Sequence, residues 1–241
     1  MDTALMASDV RGELRTVGIA ALLVSLSVGL ISNVVFFAAF DFRMDWFREP
    51  TRLLGAGSDA AELLRWAAVL DLIGYYLASA VLAYVLWRML RPRNATVADL
   101  SMLGGISFAV AGGSAAAVLA MVGPMLLHDH AAATSASDQA AIAVQFRVLF
   151  ELVWRSIWQL VDGIFVAAWW LGIALLVRRD QLALWRLTLT LAVVGVVGAI
   201  LNLLGLGLGR DIALGVVFIL WTAWWIWLLV LLRRGSPPFS D

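Results

Sequence analysis

The sequence predicts an all-α fold: a polytopic transmembrane helix bundle with six spans, in a single domain over residues 1–241, with both termini cytoplasmic. Three observations predict it: the share of apolar residues, their arrangement in long uncharged runs, and the position of the arginines between those runs. Of the residues, 63% are hydrophobic and 14% are charged, and the mean hydropathy is +0.92. A soluble domain is about half apolar and a quarter charged, so this chain has too few charges to cover a water-facing surface.

Each uncharged run is long enough to cross a bilayer, since about 20 apolar residues suffice for a helix. Lipid offers no partners to exposed backbone groups, so only helices or closed barrels can span it. The runs lack the alternation typical of barrel strands. The six predicted spans are residues 16–40, 66–87, 100–127, 155–177, 187–208 and 212–232.

Arginines mark one side of the predicted bundle. Lys is absent, and ten of the 17 arginines fall at the N-terminus, at the C-terminus or between spans two and three or four and five. These are Arg11, Arg15, Arg88, Arg91, Arg93, Arg178, Arg179, Arg186, Arg233 and Arg234. The opposite connections hold Asp41, Asp45, Glu49, Asp59, Glu62, Asp129, Asp138 and Asp211. Cytoplasmic loops are enriched in basic residues, which predicts a multi-pass protein of the bacterial plasma (inner) membrane; absent Lys and abundant Ala are typical of a GC-rich bacterial genome.

Several chemistries are disfavoured. The absence of cysteine excludes disulfides, thiolate metal sites and thiol catalysis. The only histidines, His128 and His130, are expected in an outer loop, where they cannot build an intramembrane haem or iron site. A net charge of zero indicates no nucleic-acid partner. We therefore expect no cofactor and no metal, and the sequence leans against an enzyme without excluding one.

Polar residues inside four of the spans form the candidate site. Counting about 1.5 Å per residue from the arginine that ends each helix places them in one layer in the outer half of the bilayer. A charge at the bilayer centre costs on the order of 3 kcal/mol or more, so such groups normally face the protein interior or a water-filled cavity. The predicted pocket lies between spans one, two, four and five and contains Asn33, Asp71, Glu151, Arg155, Gln159, Asp162 and Asn202.

Two interpretations of this layer remain open. In one, Asp71 and Asp162 bind an ion, a proton or a cationic ligand. In the other, Arg155 pairs with a carboxylate and clamps helices together. The sequence favours the clamp.

Five tryptophans form a second layer near the middle of the bilayer, although tryptophan usually prefers the interface. They are Trp169, Trp170, Trp221, Trp224 and Trp225. Such rings can line a cavity for an apolar or cationic molecule, or they can pack and contact lipid, which is the favoured interpretation.

Small residues recur every four positions in span three, at Gly105, Ala109, Gly113 and Ala117. This spacing allows close approach of another helix. Packing within the chain is favoured, and an interface between two copies of the chain in a homodimer is the alternative. The expected partners are membrane lipids, with a second copy or a partner membrane subunit as further candidates.

Several short segments carry a family resemblance: Gly57–Ala61 leading into Arg65, the Leu70-Asp71-Leu72 triplet, the Leu90-Arg91-Pro92 turn, and Arg178-Arg179 at the end of span four. This layout, over about two-thirds of the chain, resembles a family of uncharacterised six-span bacterial integral membrane proteins known as a domain of unknown function. The resemblance implies six helices and transfers no activity and no site residue.

Two functions are carried forward. The first is a structural or accessory membrane protein that binds a partner subunit or a lipid. The alternative is a small solute or ion-coupled transporter with a periplasm-facing polar pocket around Asp71, Arg155 and Asp162.

Overall fold

The computed structural model describes residues 3–43, 46 and 49–239, with the side chains of 3–9, 58 and 59 excepted. All regular structure in this part of the chain is helical, and six helices are long and apolar enough to cross a membrane. They are α1 (Val10–Ala39), α2 (Ala60–Leu90), α3 (Ala95–Ala132), α4 (Ala136–Val177), α5 (Leu182–Leu203) and α6 (Gly207–Arg234). The predicted all-α bundle of six spans is confirmed, and the protein is a multi-pass membrane protein.

Most helices extend beyond the predicted runs because polar residues cap them outside the apolar part. Asn94 caps α3 by accepting a hydrogen bond from the Val97 amide at 3.1 Å. Ser135 caps α4 in the same way, accepting from the Asp138 amide at 3.1 Å. The helical run of α1 begins at Thr3, and α2 is helical from Ser58.

Two local predictions differ from the structure. His128 and His130 were expected in a loop, and this prediction is wrong: both lie in the last turns of α3, which continues to Ala132. The fifth span was expected to reach residue 208, whereas α5 ends at Leu203. Gly205 there adopts a φ of +71°, a left-handed conformation that turns the chain into α6.

The helices pack in chain order, each against the next, and α6 returns to pack against the first half of α1. Short connections favour this neighbour arrangement. Gly18 lies at this contact between α1 and α6: a Cβ atom there would lie 3.2 Å from a methyl group of Leu232, so the two helices approach closely.

The arginine-bearing segments meet at one end of the bundle, which we call the inner end. Arg93, before α3, donates to Asp180, after α4, and to the Leu176 carbonyl. Gln181 donates to the Pro237 carbonyl at 2.7 Å, and Gly235 lies against the Arg15 guanidinium.

A further ion pair at the inner end joins Arg91 and Asp99 at 2.9 Å. The hydrogen bond to Asp99 raises the pKa of Arg91.

The other end, the outer end, carries the α1–α2, α3–α4 and α5–α6 connections. Its core is aromatic and aliphatic: Phe40 and Phe150 have ring centroids 5.7 Å apart, and Leu53 and Phe146 are fully buried among them. The predicted outer acids fall on these connections or in the first and last turns of the helices beside them. Asp45 and the side chain of Asp59 lie outside the described residues.

Three helices contain π-helical segments: Ser25–Gly29 in α1, Leu72–Leu77 in α2 and Glu151–Val161 in α4. Such segments are rare and often occur at functional sites. The first two meet where α1 crosses α2. A Cβ atom on Gly74 would lie 2.3 Å from the backbone nitrogen of Gly29, so only glycine fits at this crossing. The close approach places Ser32 and Asn33 opposite Asp71 and Tyr75.

Candidate functional site

A cavity of about 220 Å³ occupies the outer half of the bundle. All six helices contribute to its lining, which is mostly apolar and aromatic. Its polar lining residues come from α1, α2, α4 and α6: Ser32, Asn33, Asp71, Tyr75, Tyr76, Gln159, Asp162 and Arg210.

Two carboxyl groups line this cavity, each with one hydroxyl donor. The Ser32 hydroxyl donates to Oδ1 of Asp71 at 3.4 Å, and the Tyr76 hydroxyl donates to Oδ2 of Asp162 at 3.1 Å. Oδ1 of Asp162 has no hydrogen-bond partner in the described part of the chain, although the residue is only 3% exposed. Among the described residues, no arginine forms an ion pair with either carboxyl group. An intramembrane acid without a cation is a functional-site candidate by default.

Other buried polar atoms at the cavity also lack partners. Gln159 is 8% exposed, and within the described chain neither its amide nitrogen nor its amide oxygen forms a hydrogen bond. The same holds for the indole nitrogens of Trp170 and Trp221. Buried polar groups are nearly always paired, and leaving one unpaired costs about 1–3 kcal/mol. These unpaired atoms all belong to residues that line the cavity.

The π-helical segment of α4 is fixed by hydrogen bonds from neighbouring helices. The Trp158 indole donates to the Gly112 carbonyl at 3.2 Å, and the Asn202 amide donates to the Arg155 carbonyl at 2.8 Å. A π-helix pairs residues i and i+5, so its wide turn disturbs the regular ladder, and these two contacts hold it in place.

Gly112 of α3 is required beside the Tyr76–Asp162 pair. A Cβ atom at this position would lie 2.2 Å from Oδ2 of Asp162 and 2.0 Å from Cε1 of Tyr76. The two glycines of the predicted small-residue pattern pack within the chain, since a Cβ on Gly105 would meet Ala83 at 2.7 Å and one on Gly113 would meet Leu72 at 3.1 Å.

The structure brings four of the seven predicted site residues together at the cavity: Asn33, Asp71, Gln159 and Asp162. Asn33 donates to the Tyr75 hydroxyl at 3.1 Å and to the Gly29 carbonyl at 2.8 Å.

The other three predicted residues do not line the cavity. Glu151 and Arg155 form an ion pair at 3.1 Å along the surface of their own helix, and both are partly exposed. The side-chain amide of Asn202 donates a hydrogen bond to the Arg155 carbonyl. The prediction assumed one α-helical face from Glu151 to Asp162, but the intervening turns are π-helical, and this changes which side chains share a face. Arg155 therefore does not clamp two helices through an ion pair.

Sequence reasoning missed the arginine that does line the cavity. Arg210 is 9% exposed and pairs with Asp211 at 2.7 Å, at the outer end of α6. It lies just before the predicted start of span six, where an adjacent Arg-Asp pair was the available signal. Tyr75 and Tyr76 were also missed, although they follow Asp71 by about one helical turn.

The predicted tryptophan layer divides into two parts. Trp170 and Trp221 line the cavity, with ring centroids 4.8 Å apart in an edge-to-face arrangement. Trp225 packs behind them against Tyr75 at 5.1 Å. Trp169 and Trp224 pack edge to face at 5.7 Å, and the Trp224 indole donates to the Thr188 hydroxyl at 2.8 Å. The first pair forms the floor of the cavity, and the second belongs to the core below it.

One side of the cavity lies between α1 and α6, and we call this boundary the seam. Residues 30–39 pack along α2, and α6 packs along α5 and against the inner half of α1. Between residues 30–39 and α6, no comparably close packing exists in the described chain. Phe37 and Phe218 line the cavity along this seam, and Phe218 is 39% exposed.

No family model, curated protein or solved structure matches this chain. Among the described residues, no group of three or more His, Cys, Asp or Glu side chains could hold a metal ion.

The two amides of α4 and α5 give a matched test of these assignments. Gln159→Met replaces an unpaired amide by an apolar chain of similar size, so we expect the free energy of unfolding to stay the same or to rise by up to about 1 kcal/mol. Asn202→Leu leaves the Arg155 carbonyl without its donor, so we expect a loss of about 1–3 kcal/mol. Denaturant unfolding in micelles, followed by tryptophan fluorescence, measures both. Equal losses for the two variants would assign Gln159 to the scaffold instead of the cavity.

Proposed function

We propose that this integral membrane protein binds a small amphipathic molecule in the outer-half cavity. The observation that carries the proposal is that Gln159, Asp162 and Trp170, which line the same cavity, each have a buried polar atom without a hydrogen-bond partner in the described chain. A structural clamp would pair such groups with one another. These groups instead surround a space of about 220 Å³, and an apolar cavity of roughly 150 Å³ already holds benzene.

The apolar and aromatic lining supports an amphipathic guest over a hydrophilic one. Ligand sites are predominantly apolar, with a few polar groups that fix orientation. The seam between α1 and α6 supports access from the lipid. This narrows the accessory function expected from the sequence to the binding of a lipid-like molecule.

Ion-coupled transport is the second candidate, and one observation favours it: Asp71 and Asp162 share the cavity with no arginine paired to either in the described chain. Membrane-embedded acids of this kind mark proton and ion pathways. The inner half is closed by the packing of Trp169, Trp224 and Leu228, all of them buried. Transport would therefore require this half to open.

For orientation, we propose that both termini are cytoplasmic and that the cavity faces the periplasmic half of a bacterial plasma membrane. The gathering of arginine-bearing segments at the inner end supports this under the positive-inside rule. Membership of the six-span family that the sequence resembles is part of the same proposal. A reporter enzyme active only in the cytoplasm is expected to work at both termini, and activity of a periplasm-only reporter at either terminus would contradict the orientation.

Two adjacent valines of α6 give a matched test of ligand binding. Val217 lines the cavity, whereas Val216 is 39% exposed on the lipid-facing side. With the protein in zwitterionic lipid nanodiscs, 8-bromooctan-1-ol is expected to add a saturable component to the quenching of tryptophan fluorescence, because bromine quenches on contact and the partly exposed rings of Trp158 and Trp221 line the cavity. Quenching of a surface ring such as Trp227, which is 45% exposed, adds only a non-saturable background. Val217→Phe is expected to weaken this binding at least fivefold by filling the cavity, and Val216→Phe is expected to leave it unchanged. Quenching that never saturates, or equal effects of the two variants, would contradict the proposal.

A further inference from the structure

We infer that the ligand carries a protonated amine on an alkyl chain, and that the amine binds between Asp71, Asp162 and Gln159 while the chain extends into the seam between α1 and α6. This rests on the proposed function and names the chemical class that the cavity would select.

The charges at the cavity favour a cation. Among the described residues that line it, three carry ionisable acidic or basic groups with a formal charge: Asp71, Asp162 and Arg210. Nε and one terminal nitrogen of Arg210 both donate to Oδ1 of Asp211, so the positive charge of Arg210 is neutralised within that pair. The remaining acids are far more costly in a lipid-surrounded interior than in water, and a bound cation offsets this cost.

The unpaired atoms favour a cation that can donate hydrogen bonds. Oδ1 of Asp162 and Oε1 of Gln159 are buried acceptors without donors in the described chain. A primary ammonium offers three N–H donors, whereas a quaternary ammonium offers none. Hydrogen bonds to charged groups are roughly twice as strong as those between neutral groups, so the two acceptors select a protonated amine.

The aromatic lining suits the same guest. Trp170 and Trp221 line the cavity with their rings edge to face, and Tyr75 packs against Trp221 at 5.6 Å. Cations are attracted to the faces of such rings, most strongly where water is excluded. The rings also accept the first methylene groups of an alkyl chain.

The seam gives the chain a place to lie. The cavity, at about 220 Å³, is smaller than the roughly 300–1,000 Å³ typical of drug-sized ligands, so it holds the head and only part of a long chain. Phe37 and Phe218 flank the route from the cavity to the lipid. An amphiphile can therefore bind with its head inside and its tail in the outer leaflet.

Displacement of bound 8-bromooctan-1-ol in zwitterionic nanodiscs tests the inference. Octylammonium, octan-1-ol, octyl sulfate and octyltrimethylammonium share a chain and differ only in the head. We expect octylammonium to displace the probe at a concentration at least tenfold lower than each of the others. In Asp71→Asn/Asp162→Asn, octylammonium should fall to the level of octan-1-ol, while octan-1-ol itself should change less than threefold.

Controls separate the inference from surface attraction and from misfolding. Asp129→Asn removes an exposed acid at the outer end of α3, away from the cavity, and should keep the full preference for octylammonium. If the double variant does not fold, Asp162→Asn alone should reduce the preference at least threefold.

The remaining outcomes separate a failure of this inference from a failure of the proposed binding function. Displacement that is equally good or better with octan-1-ol, octyl sulfate or octyltrimethylammonium would overturn the protonated amine and leave the proposed binding function standing. Failure of the probe itself to bind saturably would overturn both.

Discussion

Lipid supplies no hydrogen bonds, and this constraint governs every polar group in the bundle. Most of these groups satisfy it within the protein. The Thr188 hydroxyl accepts a hydrogen bond from the Trp224 indole, the Ser101 hydroxyl donates to the Trp169 carbonyl, and the Asn202 amide donates to the Arg155 carbonyl. Of the nine unpaired buried side-chain atoms in the described chain, five belong to residues that line one cavity, among them Gln159 and Asp162, and Asp71 lines the same cavity. A largely apolar cavity lined by several unpaired polar groups and two carboxyl groups has the features of a binding site.

Backbone features create the space for that site. The Gly29–Gly74 contact draws the middle of α1 against α2, while the outer half of α1 packs little against α6. Gly112 lets α3 approach the Tyr76–Asp162 pair, which a methyl group would displace. The π-helical segments of α2 and α4 contribute lining residues, and the carbonyl of Gly29, at the end of the segment in α1, accepts a hydrogen bond from the lining residue Asn33. The inner half, by contrast, is filled by paired tryptophans and leucines.

The sequence predicted the six spans because hydropathy and length decide whether a helix can cross lipid, and both can be read from composition. It also placed Asn33, Asp71, Gln159 and Asp162 in one layer, because helix rise is nearly constant. It could not place Arg155, since a π-helical segment changes which residues share a face and has no clear sequence signal. It also missed Arg210, whose inward direction depends on how α6 packs against α5. Spacing along one helix therefore predicted how deep a residue lies in the bundle, but it did not predict reliably in which direction the side chain points.

The central claim is that small molecules can enter the cavity from the lipid, through the seam between α1 and α6, while equally buried positions elsewhere are closed. The chain has no cysteine, so a single introduced thiol can report on this directly. Ala68 and Ala83 lie on the same helix and are each 1% exposed, but only Ala68 lines the cavity. In nanodiscs, the small membrane-permeant reagent methyl methanethiosulfonate is expected to modify Ala68→Cys and to leave Ala83→Cys unmodified. Equal reactivity at the two positions, or an unreactive Ala68→Cys, would contradict the account.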